Sequence, residues 1–229
     1  MGLFLYLSMQ LLALSVGQHI VHEFEQTTAL EWIGAVTGIY CVYLAAKQNI
    51  WNWPVAIISV VAYTIVFFKA RLYGDTGLQI YFLGTSIYGW YFWIKKKERN
   101  EKPVTSLNFK EYSWIITAIV ALSLLLALFL KRFTKTNVPY IDGFCTAISF
   151  IAQILMTRKV LQNWALWIFV DICYVPLYIY KDLYVTAILY LILLVLAWLG
   201  HVDWQKEYKK STLSEFGTPV GGSDLEEAK

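Results

Sequence analysis

Charge is what this sequence has least of. Asp, Glu, Lys and Arg make up 15% of its 229 residues, against about a quarter in a water-soluble domain, which must solvate its whole surface. That shortage excludes an ordinary soluble globule. Cysteine is also sparse: Cys41, Cys145 and Cys173 stand far apart, without metal-ligand spacing and with one left over from any pairing. They read as small buried hydrophobes. There is no phosphate-cradling glycine loop, no HExxH and no nucleophile elbow, so no enzyme class and no cofactor is indicated. His19 and His22 are three apart and His201 is remote; at membrane edges, with no further ligands, they read as a solvated face. A net charge of +3 gives no sign of nucleic acid as a partner. Lysine and arginine are missing from the middle of every long apolar run, which disfavours a phosphorylated or long anionic solute.

What is present is apolar. Hydrophobic residues reach 58% and aromatic residues 17%, in runs of roughly 17 to 20, the length a helix needs to cross a bilayer core of about 30 Å. In lipid a helix is the economical choice, because every backbone polar group must find its partner internally. Seven spans are predicted at 31–46, 52–68, 76–94, 112–130, 139–157, 162–180 and 183–201, punctuated by Pro54, Gly74-Asp75 and Pro139. Residues 3–16 are apolar but short, with no positive charge before them. They read as an N-terminal packing helix within 1–30, with an eighth span as the alternative.

With the first span entering from outside, twelve lysines and arginines face inward and six outward. The positive-inside rule then puts the N-terminus out and the C-terminus in. The basic stretch 95–111 becomes a cytoplasmic loop, and 205–229 a cytoplasmic polar tail that is disordered after about Ser211.

The chain also repeats itself. Shifted by 111 positions, residues 31–93 lie on 142–204 without a gap, with ten identities in the 46 positions of 48–93. Asn52-Trp53 falls on Asn163-Trp164, Tyr63 on Tyr174, Leu72-Tyr73 on Leu183-Tyr184, Gly89 on Gly200 and Trp93 on Trp204. Three helices per repeat would turn the second copy upside down, and the plain apolar span at 112–130 restores its direction. The expected fold is all-α and polytopic: two parallel three-helix bundles, 31–94 and 139–204, joined by a linker helix. Carriers with this plan hold their substrate near mid-membrane between the repeats.

Polar and aromatic stripes mark the faces that turn away from lipid. In the sixth span Trp164, Trp167, Asp171, Tyr174 and Tyr178 follow steps of 3, 4, 3 and 4, which place them on one helix face. A mid-span carboxylate costs a few kcal/mol unless paired or wetted, so Asp171 is a candidate ligand; a helix–helix hydrogen bond or a protonated acid is the alternative. The third span aligns Gln79, Leu83, Ser86, Trp90 and Trp93; an interfacial aromatic belt is the alternative, stronger for Trp93 than for Trp90, which lies a turn deeper. The second aligns Asn52, Ala56, Ser59 and Tyr63, the fifth Thr146, Ser149, Gln153 and Met156, and the seventh Tyr184, Ala187, Tyr190, Leu194 and His201. Serine and threonine in such stripes commonly pack helices, whereas the amides of Gln79 and Gln153 need several partners. Aromatic faces with a few amide, carboxyl and hydroxyl groups suit a flat ring carrying a polyol. A cationic ring gains further from indole faces and from Asp171.

With these residues in view, the sequence resembles the PnuC family of bacterial nicotinamide riboside transporters. The resemblance rests on Leu72-Tyr73 followed by Gln79, on Ile87-Tyr88-Gly89-Trp90-Tyr91-Phe92-Trp93, on Ile154-Leu155-Met156-Thr157-Arg158-Lys159 and on Asn163-Trp164-x-x-Trp167. It covers about residues 30–205, and Trp90 with Trp93 matches the family's WxxW motif. It implies facilitated diffusion of unphosphorylated nicotinamide riboside, made one-way by a cytoplasmic riboside kinase, in a homotrimer of the bacterial inner membrane with a SWEET-like fold. The expected solute-binding residues are Gln79, Ser86, Tyr88, Trp90, Trp93, Gln153, Asn163, Trp164, Trp167, Asp171, Tyr174 and Tyr190. Carriage of a related vitamin (thiamine or riboflavin) or a sugar is the second reading. A membrane scaffold whose stripes only pack helices is the third.

Overall fold

The computed structural model describes residues 17–18, 20–69, 73–99, 103–134, 138–180 and 182–216. Seven long helices run through them: α1 (Ala29–Ala46), α2 (Asn52–Lys69), α3 (Tyr73–Glu98), α4 (Phe109–Phe133), α5 (Pro139–Thr157), α6 (Asn163–Tyr180) and α7 (Tyr184–Phe216). The packing helix expected at 3–16 lies outside the described residues. Six of the seven helices are long and apolar enough to cross a membrane; α3 is long enough but less apolar. Its polar face and the Lys95–Lys97 run lower its hydropathy, so the seven expected spans are seen as seven helices and six span candidates.

Local chemistry sets the helix ends. Thr28 and Glu31 form a capping box at α1, and Asn108 and Glu111 form another at α4, each satisfying amide donors that a helix start leaves open. Pro139 opens α5, where its missing N–H costs nothing. The Glu23 carboxylate accepts from the Tyr184 and Val185 amides at 3.0 and 2.9 Å, so the segment before α1 caps α7. α7 continues through the first part of the expected polar tail, as far as Phe216.

Neighbours in sequence pack as antiparallel pairs, α1 on α2, α2 on α3, α4 on α5, α5 on α6 and α6 on α7. Two long-range contacts complete the bundle, α1 with α7 and α3 with α5. These two are the same contact displaced by 111 residues, since α1 maps onto α5 and α3 onto α7. Linker-like α4 is pinned to α5 where Gly143 meets it: a Cβ there would stand 2.6 Å from the Ala127 amide nitrogen. Most of its remaining surface, including Trp114, Val120, Leu124 and Leu128, is exposed.

At several positions equivalent residues make equivalent contacts. Asn52 donates to the Asn49 carbonyl and Asn163 to the Val160 carbonyl, both at 2.7 Å. The Trp53 ring meets Trp93 edge-on at 5.3 Å, and Trp164 meets Trp204 edge-on at 5.5 Å. Gly89 and Gly200 make room for these rings; a Cβ at either would stand 2.4 or 2.6 Å from the Trp53 or Trp164 ring. Across the bundle, Trp93 donates to the Met156 carbonyl at 3.3 Å and Trp204 to the Ala45 carbonyl at 3.1 Å.

The loop between α3 and α4 breaks this pattern. Thr105 pairs with the turn after α5, donating to Lys159 and accepting from Leu161, while Val104 is fully buried. Gln162 donates to Ser106 and Tyr112 at 2.7 and 2.8 Å.

Candidate solute site

The stripe of α6 brings its residues to two places. Toward one end Asp171, Tyr174, Tyr178 and Tyr190 gather between α6 and α7. Tyr174 meets Tyr190 edge-on at 5.1 Å, Tyr178 stacks on Tyr190 at 5.0 Å, and Tyr174 tilts against Tyr178 at 5.6 Å. Asp171 is only 4% exposed and acts electrostatically on Tyr190. Thr146 of α5 reaches the Tyr174 hydroxyl. Pro176 lies within the same helix and cannot donate to the carbonyl four residues back, which stays available to another partner.

Toward the lysine-rich end lies a second aromatic group. Trp53, Trp93, Trp164 and Trp204 form a chain of rings, with Trp93 and Trp204 6.1 Å apart, and all four are at most 2% exposed. Trp167 packs on this cluster from its rim. Trp93 and Trp164, expected as ligands, therefore sit in a packed core. Trp90 goes elsewhere: it is 38% exposed, one turn back on α3. Tyr88 is exposed too, with the Arg158 guanidinium 5.5 Å over its ring. Ser86 and Asn163 are buried, and Gln79 and Gln153 are half-buried on α3 and α5.

Among the described residues four buried polar atoms have no hydrogen-bond partner: Trp53 Nε1, Trp164 Nε1, Asn163 Oδ1 and His201 Nδ1. Two of them are repeat equivalents, the indole N–H groups of Trp53 and Trp164. Unmet donors and acceptors in a dry interior are costly, so these atoms are where a polar solute or water gains most. Sequence reasoning did not single out Trp53, Tyr178 or Trp204 as site residues, although the 111-residue offset already paired Trp53 with Trp164 and Trp204 with Trp93.

Basic side chains collect around the end of α3 and the turn after α5, with Lys206, Lys209 and Lys210 on the end of α7 and Lys131 and Arg132 at the end of α4. The Lys159 ammonium lies 4.2 Å over the Trp93 ring and donates to Gln48 at 3.4 Å. Burial pushes Lys159 down to about 8, and repulsion from Lys96 adds to the shift. No group of three or more metal-capable side chains occurs among the described residues.

Comparison with known proteins supplies a family. A family model described as "Nicotinamide mononucleotide transporter" matches residues 28–206. The nicotinamide riboside transporter PnuC of Escherichia coli is 27% identical, over 76% of this chain and 84% of its own. That of Neisseria mucosa is 27% identical over 84% and 78%. The riboflavin/roseoflavin transporter RibM of Streptomyces davaonensis is 24% identical over 82% and 86%. The crystal structure of the vitamin B3 transporter PnuC superposes with a TM-score of 0.65 at 25% identity, covering 87% of this chain and 90% of that one. This chain belongs to the nicotinamide mononucleotide transporter family of membrane carriers.

Proposed function

We propose that this chain carries unphosphorylated nicotinamide riboside across a bacterial cytoplasmic membrane by facilitated diffusion. The observation that carries the reading is a buried carboxyl, Asp171, beside the packed rings of Tyr174, Tyr178 and Tyr190. A pyridinium ring is cationic and flat, and both properties are favoured by aromatic faces next to a carboxylate. The ribose hydroxyls then have the half-buried amides of Gln79 and Gln153 to bond. A phosphate ester finds no lysine or arginine at mid-span, so the riboside, the solute of the PnuC relatives, fits better than the mononucleotide.

In this reading α1–α3 and α5–α7 are parallel repeats with α4 as linker, α3 is a seventh span, and the solute sits between the repeats. The reciprocal Trp93–Met156 and Trp204–Ala45 bonds support it, because both residues of each are displaced by the same 111 positions. The lysine-rich end faces the cytoplasm, where a riboside kinase makes uptake one-way, and the exposed apolar face of α4 is available to a homotrimer or to lipid.

Vesicles loaded with a riboside kinase and ATP test the reading directly. Saturable uptake of labelled nicotinamide riboside, not competed by nicotinamide mononucleotide, is expected. The RibM relative favours one second reading, a flavin solute; uptake of riboflavin with none of the riboside would establish that instead.

A further inference from the structure

At the lysine-rich end the two halves of the chain touch through a pair of turn residues that solute binding does not use. Gln48 and Lys159 are 111 positions apart, each just past the cap of α1 or α5, and each has a positive φ, 54° and 56°. The Lys159 ammonium donates to Gln48 Oε1 at 3.4 Å and covers the Trp93 ring. Equivalent residues that meet side chain to side chain lie where the axis relating the halves must pass. Other contacts cross beside them in matched pairs. The two indole–carbonyl bonds are one pair. The other is the Lys47–Asp203 ion pair at 2.7 Å, whose counterpart is the Arg158 guanidinium 5.1 Å over Phe92.

We propose that Gln48 and Lys159 are positioning residues for transport: a latch that closes the solute pathway at the lysine-rich end and must part for release there. The proposal rests on the transport reading and the paired-repeat arrangement given above. Left-handed backbone in a non-glycine residue costs about 1–2 kcal/mol, and glycine or asparagine is the ordinary choice just after a helix. Long polar side chains at both equivalent positions, meeting each other, are what a contact across the axis requires. The contact is also weak enough to cycle. Its hydrogen bond is long, and the Lys47–Asp203 pair beside it is largely exposed, so it adds little.

Spin labels at Lys95→Cys and Lys206→Cys, exposed positions again 111 apart, report the separation of α3 and α7 at this end. The full chain is reconstituted in vesicles with Cys41, Cys145 and Cys173 replaced, in a background shown to keep the parent's thermal unfolding midpoint. Lys159→Ala and Gln48→Ala are each expected to add a second, longer distance to the distribution. Lys159→Arg can still donate to Gln48 and is expected to keep the parent's. Identical distributions in all three variants and the parent overturn the latch. Because this readout needs no solute, failure of riboside uptake by the parent would overturn the solute assignment alone.

Discussion

Trp204 donates its indole N–H to the Ala45 carbonyl, joining the last helix to the first, and its ring stands edge-on to Trp164 at 5.5 Å. That ring has its place only because residue 200, one turn back, has no side chain: a Cβ on Gly200 would stand 2.6 Å from Trp164. Gly89 does the same for Trp53 in the first half, at 2.4 Å. Gly200→Ala and Gly89→Ala are therefore expected to destabilise the protein by about 1–3 kcal/mol each, as overpacking does. Gly77 and Gly84, on the same helix as Gly89, have nothing within 4 Å of a built Cβ. Alanine at either is expected to be neutral or to gain up to about 1 kcal/mol of helix propensity. Denaturant unfolding in detergent compares the four, and equal effects at all four positions would remove the packing explanation.

Asp171 separates two roles that burial alone cannot. Asp171→Asn keeps the size and a hydrogen-bonding end, so the fold is expected to survive. Affinity for nicotinamide riboside is expected to fall roughly tenfold, about 1.4 kcal/mol, because the cationic ring loses its carboxylate. A neutral flavin is expected to show no such loss. Calorimetry on the purified variant measures both; undiminished riboside affinity would leave Asp171 a packing residue.

Much of this was legible in the sequence, because periodicity along one helix and identity across an offset are local properties. The stripe Asp171–Tyr174–Tyr178 folds onto one face as its steps of three and four require, and Tyr190 meets it from α7. The offset that aligned Gly89 with Gly200 also aligned the contacts those glycines permit. What stayed hidden is long-range. Nothing in the order of residues says that Trp93 donates to the Met156 carbonyl, so Trp93 and Trp164 looked like ligands when they are core. Trp90 and Trp93 share a motif yet differ in burial, because three residues turn a helix by about 300° and place them on adjacent ridges. α7 runs beyond the expected span at 183–201 as far as Phe216, because charge limits a membrane span and not a helix. Charged residues such as lysine and glutamate continue a helix well.

Among the four indoles expected to bind solute, Trp90 and Trp167 keep open ring surface, the first exposed on α3 and the second at the rim of the tryptophan cluster. Trp90→Ala or Trp167→Ala is expected to weaken riboside binding by about 1–3 kcal/mol through lost stacking, with little change in stability. Trp164→Ala, which empties a fully buried site, is expected to cost about 3–5 kcal/mol of stability instead. Binding isotherms and unfolding midpoints on the same preparations separate the two classes. If Trp90→Ala and Trp167→Ala both bind with parental affinity, neither indole stacks on the solute.

Lys159 carries a pH signature. Burial pushes it from 10.5 down to about 8, Lys96 and Lys97 add repulsion, and Glu207 opposes them. The folded chain therefore releases this proton at lower pH than the unfolded chain does. Between about 8 and 10.5 the unfolded state holds the extra proton, so the contribution of Lys159 to stability rises with pH across that window and is level below it. Lys159→Gln has no proton to lose and removes the slope. The unfolding midpoint of the parent, measured from pH 7 to 10.5, is expected to gain on that of the variant only above about pH 8. A constant difference over the whole range would mean that the Lys159 ammonium is as well solvated in the folded chain as in the unfolded one.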